Sequence, residues 1–177
     1  MRVNGTAVQA GAALVVRTEQ VYANCPKHIQ TREPTSAPGI PTALGRGTSL
    51  AERHSAWIGA ADTFFIATWA DGHGADVSHR GGNPGFVRVT GPRSQVSPDY
   101  AGNGMFMTLG NLDLNPHAGL LFVDWERGET LQLTGRARVE WGNPRLVLFE
   151  LDEYAHVAGT VSAGWTGPGY HRFNPAV

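Results

Sequence analysis

The sequence predicts a mainly β chain with antiparallel strands, on three observations. Its 177 residues include 23 Gly and 11 Pro, a share of breakers that a helical bundle does not tolerate. Short β-branched and aromatic runs recur, Thr63 to Trp69 being the clearest, and such residues favour strands. Turn signals separate these runs at short intervals, and consecutive strands joined by short turns form antiparallel sheet. With so many turns, closure into a barrel removes the free edges.

The elements follow in order. Residues 1–24 read as strands. Residues 31–49 hold Pro34, Pro38 and Pro41 and little that packs, which reads as a linker. Ser49-Leu50-Ala51-Glu52 fits a capping box, and Leu50, His54 and Trp57/Ile58 recur at helical spacing. A helix is therefore expected from about 50 to 60. Thr63 to Trp69 is a strand, Asp71-Gly72-His73-Gly74 a hairpin turn, and Ala75 to Ser78 the return strand. Phe86 to Thr90 and Ser94 to Ser97 are the next two strands, separated by Gly91-Pro92. Met105, Phe106, Leu109 and Leu112 place a helix over Asn103 to Leu114, stopped by Asn115-Pro116. Ala118 to Trp125, Thr130 to Val139 and Arg145 to Leu151 complete about seven strands, before a Gly/Pro-rich tail from Gly159 to Val177. The domain reading is a segment 1–30, a linker 31–49 and a main domain 50–177.

Composition excludes several classes of function. Net charge is −1, with 14 basic and 15 acidic residues, so the basic excess of a nucleic-acid binder is absent. Charged residues make up only 16%, against roughly 25% in a typical soluble domain. Low charge points to surface hidden in a subunit interface, and a homodimer is expected. Lys27 is the single Lys among the basic residues; the Arg bias suits bidentate phosphate contacts or reflects genomic base composition. Cys25 is alone, which excludes an intrachain disulfide and a Cys-based zinc site. The longest apolar run, Gly119 to Val123, is far short of the roughly 20 residues of a membrane span. The N-terminus shows no apolar signal core, so a cytoplasmic protein without membrane contact is expected. The seven His residues show no metal signature.

An internal echo runs through the chain. Arg2 to Val8 parallels Gln132 to Arg138, with Gly5 on Gly135 and Ala7 on Ala137. Leu14 to Tyr22 parallels Leu146 to Tyr154. Either two β-rich segments agree by chance, or the chain opens inside the last two strands of an earlier copy. In the second case residues 2–22 carry apolar faces that need a sheet, and they are expected to add strands to a barrel in this chain or its partner.

Two segments carry the densest chemistry. Asp76 to Phe86 sets Arg80 beside Gly81-Gly82. Glycines let backbone approach a ligand, and Arg offers a fork of donors to phosphate or carboxylate; the alternative is a solvated Arg in a Gly-rich connection. Ser97 to Asn103 leads into the second helix, whose first turn is a natural anion site. Asn103 is its N-cap candidate, and Thr108 lies about a turn further in.

In order and spacing, Ala61 to Thr68, Ser78 to Phe86, Pro98 to Phe106, Thr108 to Asn111, Asn115 to Phe122 and Leu133 to Ala137 resemble the pyridoxamine 5′-phosphate oxidase-like family of FMN-binding split β-barrels. The resemblance covers about half the chain, from Ala61 to Trp141. Residues 1–33 resemble the end of a preceding unit, as in tandem members.

This resemblance implies a six-stranded antiparallel split β-barrel with flanking helices, dimeric, with FMN in clefts at the interface. Ser78, His79, Arg80 and Gly81 would line the FMN phosphate. Asp99, Tyr100 and Asn103 would run under the ribityl chain, with Thr108 and Asn111 on the adjoining helix and Thr130 near the isoalloxazine. The family's vitamin B6 enzymes carry an Arg-Lys pair before this helix, where this chain has Asn103-Gly104. The implied function is therefore an FMN-dependent oxidoreductase acting on another small substrate or a nicotinamide donor. The alternatives are a flavin carrier or sensor without turnover, or a reductase using F420. No protein nucleophile is expected, since flavin brings its own redox chemistry.

Overall fold

The computed structural model describes residues 2–175; Met1 and the tail's Ala176 and Val177 lie outside them. Two strands open the chain, β1 (Arg2–Ala10) and β2 (Ala13–Tyr22), followed by a 3₁₀ turn at Pro26–His28. Next come β3 (Thr42–Gly47), α1 (Glu52–Ala60), β4 (Thr63–Ala70), β5 (Gly74–Gly81), β6 (Arg88–Gly91) and β7 (Ser94–Pro98). The chain continues through α2 (Met107–Leu114), β8 (His117–Asp124), β9 (Glu129–Glu140) and β10 (Leu146–Ala158).

Eight strands form one antiparallel sheet in the order β5-β4-β8-β9-β10-β7-β6, with β3 added on β10. The mainly β, antiparallel fold stands as the sequence predicts, and the strand count exceeds the six that the family resemblance implies. β10 explains the architecture. It pairs with β9 along its whole length, while its other edge pairs with β7 over Leu146–Glu150 and with β3 over Tyr154–Ala158. The register shift between Leu151 and Glu153 separates these halves, and a bulge bends and twists its strand. One strand thereby serves two directions of sheet, which is how the sheet curls around its core.

The core follows from alternation. Ala118, Leu120 and Phe122 on β8 and Leu131, Leu133 and Ala137 on β9 point inward and are buried, as period-two side chains of a one-sided sheet do. Phe64 stacks on Phe122 at 5.2 Å and on Phe86 at 5.8 Å between centroids. Ile58 from α1 and Leu109 and Leu112 from α2 close the ends.

Several boundaries differ from the sequence reading. The N-cap of α1 is Ala51, not Ser49; the Ala51 N–H donates to His54 Nδ1 at 3.4 Å. Helix α2 starts at Met107 with Phe106 as N-cap. Asn103 instead accepts the Met105 N–H at 3.2 Å, and Gly104 takes a positive φ of 77°. A left-handed residue there breaks the helix that the apolar spacing alone extended to Asn103.

Residues 31–49 are more than a linker. They contain β3, and Thr31, Pro34 and Pro38 bridge Gly169, Trp165 and Ser162 of the tail. Proline and glycine composition conceals this, because each segment supplies only isolated bridges to the other. Strands β1 and β2 pair with each other in a separate two-stranded sheet. Among the described residues of this chain they add no strand to the eight-stranded sheet, so of the expectation from the echo only pairing with a partner's sheet stays open.

Candidate functional site

A cleft of about 410 Å³ opens where β5, the 98–107 segment and the residues after β2 meet. That is within the range of small-molecule sites. β5 supplies Ser78, His79, Arg80 and Gly81, and the segment after β7 supplies Asp99, Tyr100 and Asn103. Thr108 reaches in from the first turn of α2. These eight sequence-predicted residues are together. Asn111 and Thr130 are not among the lining residues. The buried Asn111 amide donates to Thr68 Oγ1 at 3.4 Å and to the Gly74 carbonyl at 3.3 Å, tying α2 to β4 and β5. Thr130 bonds Thr160 Oγ1 at 3.0 Å.

The cleft also holds residues that sequence reasoning missed. Antiparallel pairing sets Leu146 opposite Pro98, and the Asp99 N–H donates to the Arg145 carbonyl at 2.9 Å. This places Arg145 against Asp99. Asp99 bridges two guanidinium groups: Arg80 Nη1 donates to Oδ1, and Arg145 Nε and Nη2 donate to Oδ2 at 2.7 and 2.5 Å. Arg145 lies over the rings of Phe106 and Trp141, 4.8 and 5.6 Å from their centroids. Its distance from Arg80 in sequence hid the pairing, and only the β7–β10 register could have revealed it.

Arg2, from β1, is a third cation at the cleft. It donates to Asp76 Oδ1 at 2.6 Å, while the Thr108 hydroxyl donates to Oδ2 at 2.5 Å. Asp76 is only 1% exposed, so these partners compensate a buried charge. The lining carries Arg2, Arg80 and Arg145 with Asp99; counting the buried Asp76 that Arg2 holds from behind the lining, the cluster has a surplus of one positive charge.

Aromatic side chains also line the cleft. The His28 ring lies 5.3 Å from that of Tyr100, and Phe86 stacks on Tyr100 at 6.5 Å between centroids. Burial raises the Tyr100 phenol above its ordinary value. Burial also pushes the His79 imidazole down to about 4; Asp62 opposes this, while Arg80, His28 and Arg32 add to it. His79 is therefore neutral at pH 7. Among the described residues, His79 Nε2 and His28 Nδ1 are buried without a hydrogen-bond partner, a state that buried polar atoms rarely keep unless a further group meets them.

Residues 28–30 cross directly over Gly81. A Cβ there would sit 2.0 Å from the His28 carbonyl and 2.5 Å from Gln30 Oε1. Glycine is required for this close approach, and the approach builds one wall of the cleft.

Among the described residues, no group of three or more His, Cys, Asp or Glu is placed to hold a metal ion. No helix among them is long and apolar enough to cross a membrane.

No protein-family model matches the sequence, and no curated protein matches it. Solved structures do match. The HupZ protein of Group A Streptococcus aligns with a TM-score of 0.50 at 13% identity, over 65% of this chain and all of that one. A Clostridium acetobutylicum protein related to general stress protein 26, of the pyridoxinephosphate oxidase family, aligns at 0.44 and 12%, over 59% and 84%. A FAD binding protein from Mycobacterium smegmatis aligns at 0.42 and 14%, over 66% and 97%. At such identities the likeness is one of fold. In fold, the chain is similar to HupZ of Group A Streptococcus.

Proposed function

We propose that the cleft binds a flavin nucleotide, FMN, by its phosphate, and that the protein is an FMN-dependent oxidoreductase. The observation that carries this reading is the positive surplus around Arg80 and Arg145 beside the His28–Tyr100–Phe86 wall. A phosphate-bearing planar ligand matches both halves. Arg is suited to phosphate, with a rigid fork of donors, and Arg80 Nε and Nη2 have no partner among the described residues. The orphaned ring nitrogens of His79 and His28 fit the polar edge of such a ligand.

In this reading Arg80 and the Ser78 hydroxyl hold the phosphate. Tyr100 and Phe86 exclude water from the ring, and neutral His79 presents either a donor or an acceptor according to its tautomer. Bound flavin would supply hydride and electron transfer. No side chain is assigned as a nucleophile. A homodimer belongs to the proposal, since Met105 and Phe106 at the rim are 47% and 46% exposed and would be covered by a second chain.

Replacing Arg80 by Ala tests the assignment. Charge-assisted bonds contribute about 1.5–3 kcal/mol, so FMN binding should weaken about ten- to a hundredfold. Riboflavin, which lacks the phosphate, should bind the wild type and Arg80→Ala alike. Fluorescence quenching reads both titrations, and unchanged FMN affinity in the variant would refute the phosphate site. Anaerobic reduction by NADH or NADPH then separates an oxidoreductase from a carrier or sensor.

A further inference from the structure

We propose that Asp99 is a built-in competitor that makes the cleft selective for phosphate dianions over carboxylates. In the ligand-free chain its carboxylate bridges Arg80 and Arg145, and a dianion takes over that bridge. The proposal rests on the anionic-ligand half of the reading above and goes beyond it, by assigning Arg145 as the second arm of an anion clamp.

The geometry of the three side chains carries the argument. Each carboxylate oxygen of Asp99 serves one arginine, Oδ1 for Arg80 and Oδ2 for Arg145. The Asp99 side chain is 7% exposed, while Arg80 and Arg145 are 21% and 23% exposed. All three side chains line the cleft, the two cations more exposed than the carboxylate that lies between them. Arg145 is braced by Phe106 and Trp141, and its backbone carbonyl is held by the Asp99 N–H. The clamp is therefore preorganised on the Arg145 side.

Two guanidinium groups sharing one carboxylate remain one positive charge in excess. An incoming carboxylate exchanges for Asp99 one for one, with the same charge and the same two oxygens, and gains nothing. A phosphate dianion brings a second charge and a third acceptor oxygen, so it attracts the two guanidinium groups more strongly than the Asp99 carboxylate does. Asp99 would thereby set specificity by the strength of the competition it offers.

The test follows the Arg Nε–Hε signals of the ¹⁵N-labelled full chain by NMR, at constant ionic strength near pH 7.5. Inorganic phosphate and acetate are the probes. The wild type should respond to phosphate and not to acetate. In Asp99→Asn, acetate should become a ligand and phosphate should bind about tenfold tighter or more, since a like charge beside the anion is gone. Arg145→Gln should bind phosphate about tenfold or more weakly. Acetate competing as well as phosphate in the wild type would overturn the proposal, as would unchanged or weaker phosphate binding in a folded Asp99→Asn. If Asp99→Asn does not fold, the wild-type phosphate-to-acetate ratio and Arg145→Gln still decide. Phosphate binding without FMN binding would leave the clamp standing and sink the flavin reading alone.

Discussion

The hairpin β1–β2 and the pair β9–β10 share a sequence pattern and have opposite fates. In β9–β10, Leu133 and Ala137 are each 2% exposed. Their counterparts by the internal echo, Val3 and Ala7, lie on the surface, Val3 at 50%. The backbone nevertheless repeats. In the hairpin, Asn4 pairs with Gln20 and Gly5 with Thr18, so Glu19 is the extra residue of a bulge. In the barrel, Thr134 pairs with Glu153 and Gly135 with Leu151, so Asp152 is the extra residue. Both glycines exist because the partner strand is too close for a Cβ, which would lie 2.0 Å from the Arg17 carbonyl oxygen at Gly5 and 2.1 Å from that of Glu150 at Gly135. The comparison teaches that pairing and bulge position are local properties of such a segment. Burial is not local, because it depends on what the rest of the fold brings to the face.

The sharpest way to break this comparison is to truncate equivalent side chains. Leu133→Ala removes a fully buried side chain from the core and should cost about 2–5 kcal/mol. Val3→Ala, at the matching position of an exposed face, should cost about 0.5 kcal/mol or less. Urea unfolding of both variants reads the contrast. Comparable losses would mean that the hairpin face is covered in solution by another chain, and the two regions would then differ in the source of their cover rather than in its presence.

The same distinction explains what was legible in the sequence. Strands such as Thr63 to Trp69 and Ala118 to Trp125 could be read because β-branched, aromatic and apolar residues crowd them between turn signals. The cleft's β5 and 98–103 residues could be read because Gly81 and Arg80 sit in a segment whose composition already suggests close approach to an anion. Arg145, Arg2 and His28 could not. Each reaches the cleft through long-range register or a crossing segment, and none carries a local signal. The start of α2 was misread because apolar spacing ignores the left-handed turn at Gly104. β3 was missed because Gly45 and Gly47 in a Pro-rich stretch mask a strand that only the far half of β10 stabilises.

An intermediate effect should come from His79, which the segment after the hairpin covers. Its pKa is about 4 in the folded chain, against an ordinary 6.5. Between these values the unfolded chain binds a proton that the folded chain does not, so stability falls as pH drops through the window. The wild type should lose on the order of 2 kcal/mol more than His79→Gln between pH 6.5 and 4. Denaturant titrations of both across that range check it. Parallel curves would show that His79 is already solvated, and that residues 28–30 do not seal the wall they form.

The smallest effect concerns the tether between the two regions. Arg2 joins the exposed hairpin to the barrel through Asp76 at 2.6 Å, with Tyr22 Oη accepting from the same Nη1 at 3.2 Å. Removing one partner of a buried ion pair ordinarily costs several kcal/mol. Here Asp76 keeps the Thr108 hydroxyl, and Arg2, at 15% side-chain exposure, leaves an opening through which water can reach the carboxylate. Arg2→Ala should therefore cost only about 1 kcal/mol, a drop in Tm of roughly 2–4 °C. The informative reading is where protection is lost. Hydrogen exchange should speed up across β1 and β2, and the β8–β9 ladder should keep its protection, because exchange reports cooperative units separately. If the barrel amides lose protection in step with the hairpin, the two form one cooperative unit. Arg2 would then be part of the barrel's own stability rather than a strap holding a separate hairpin.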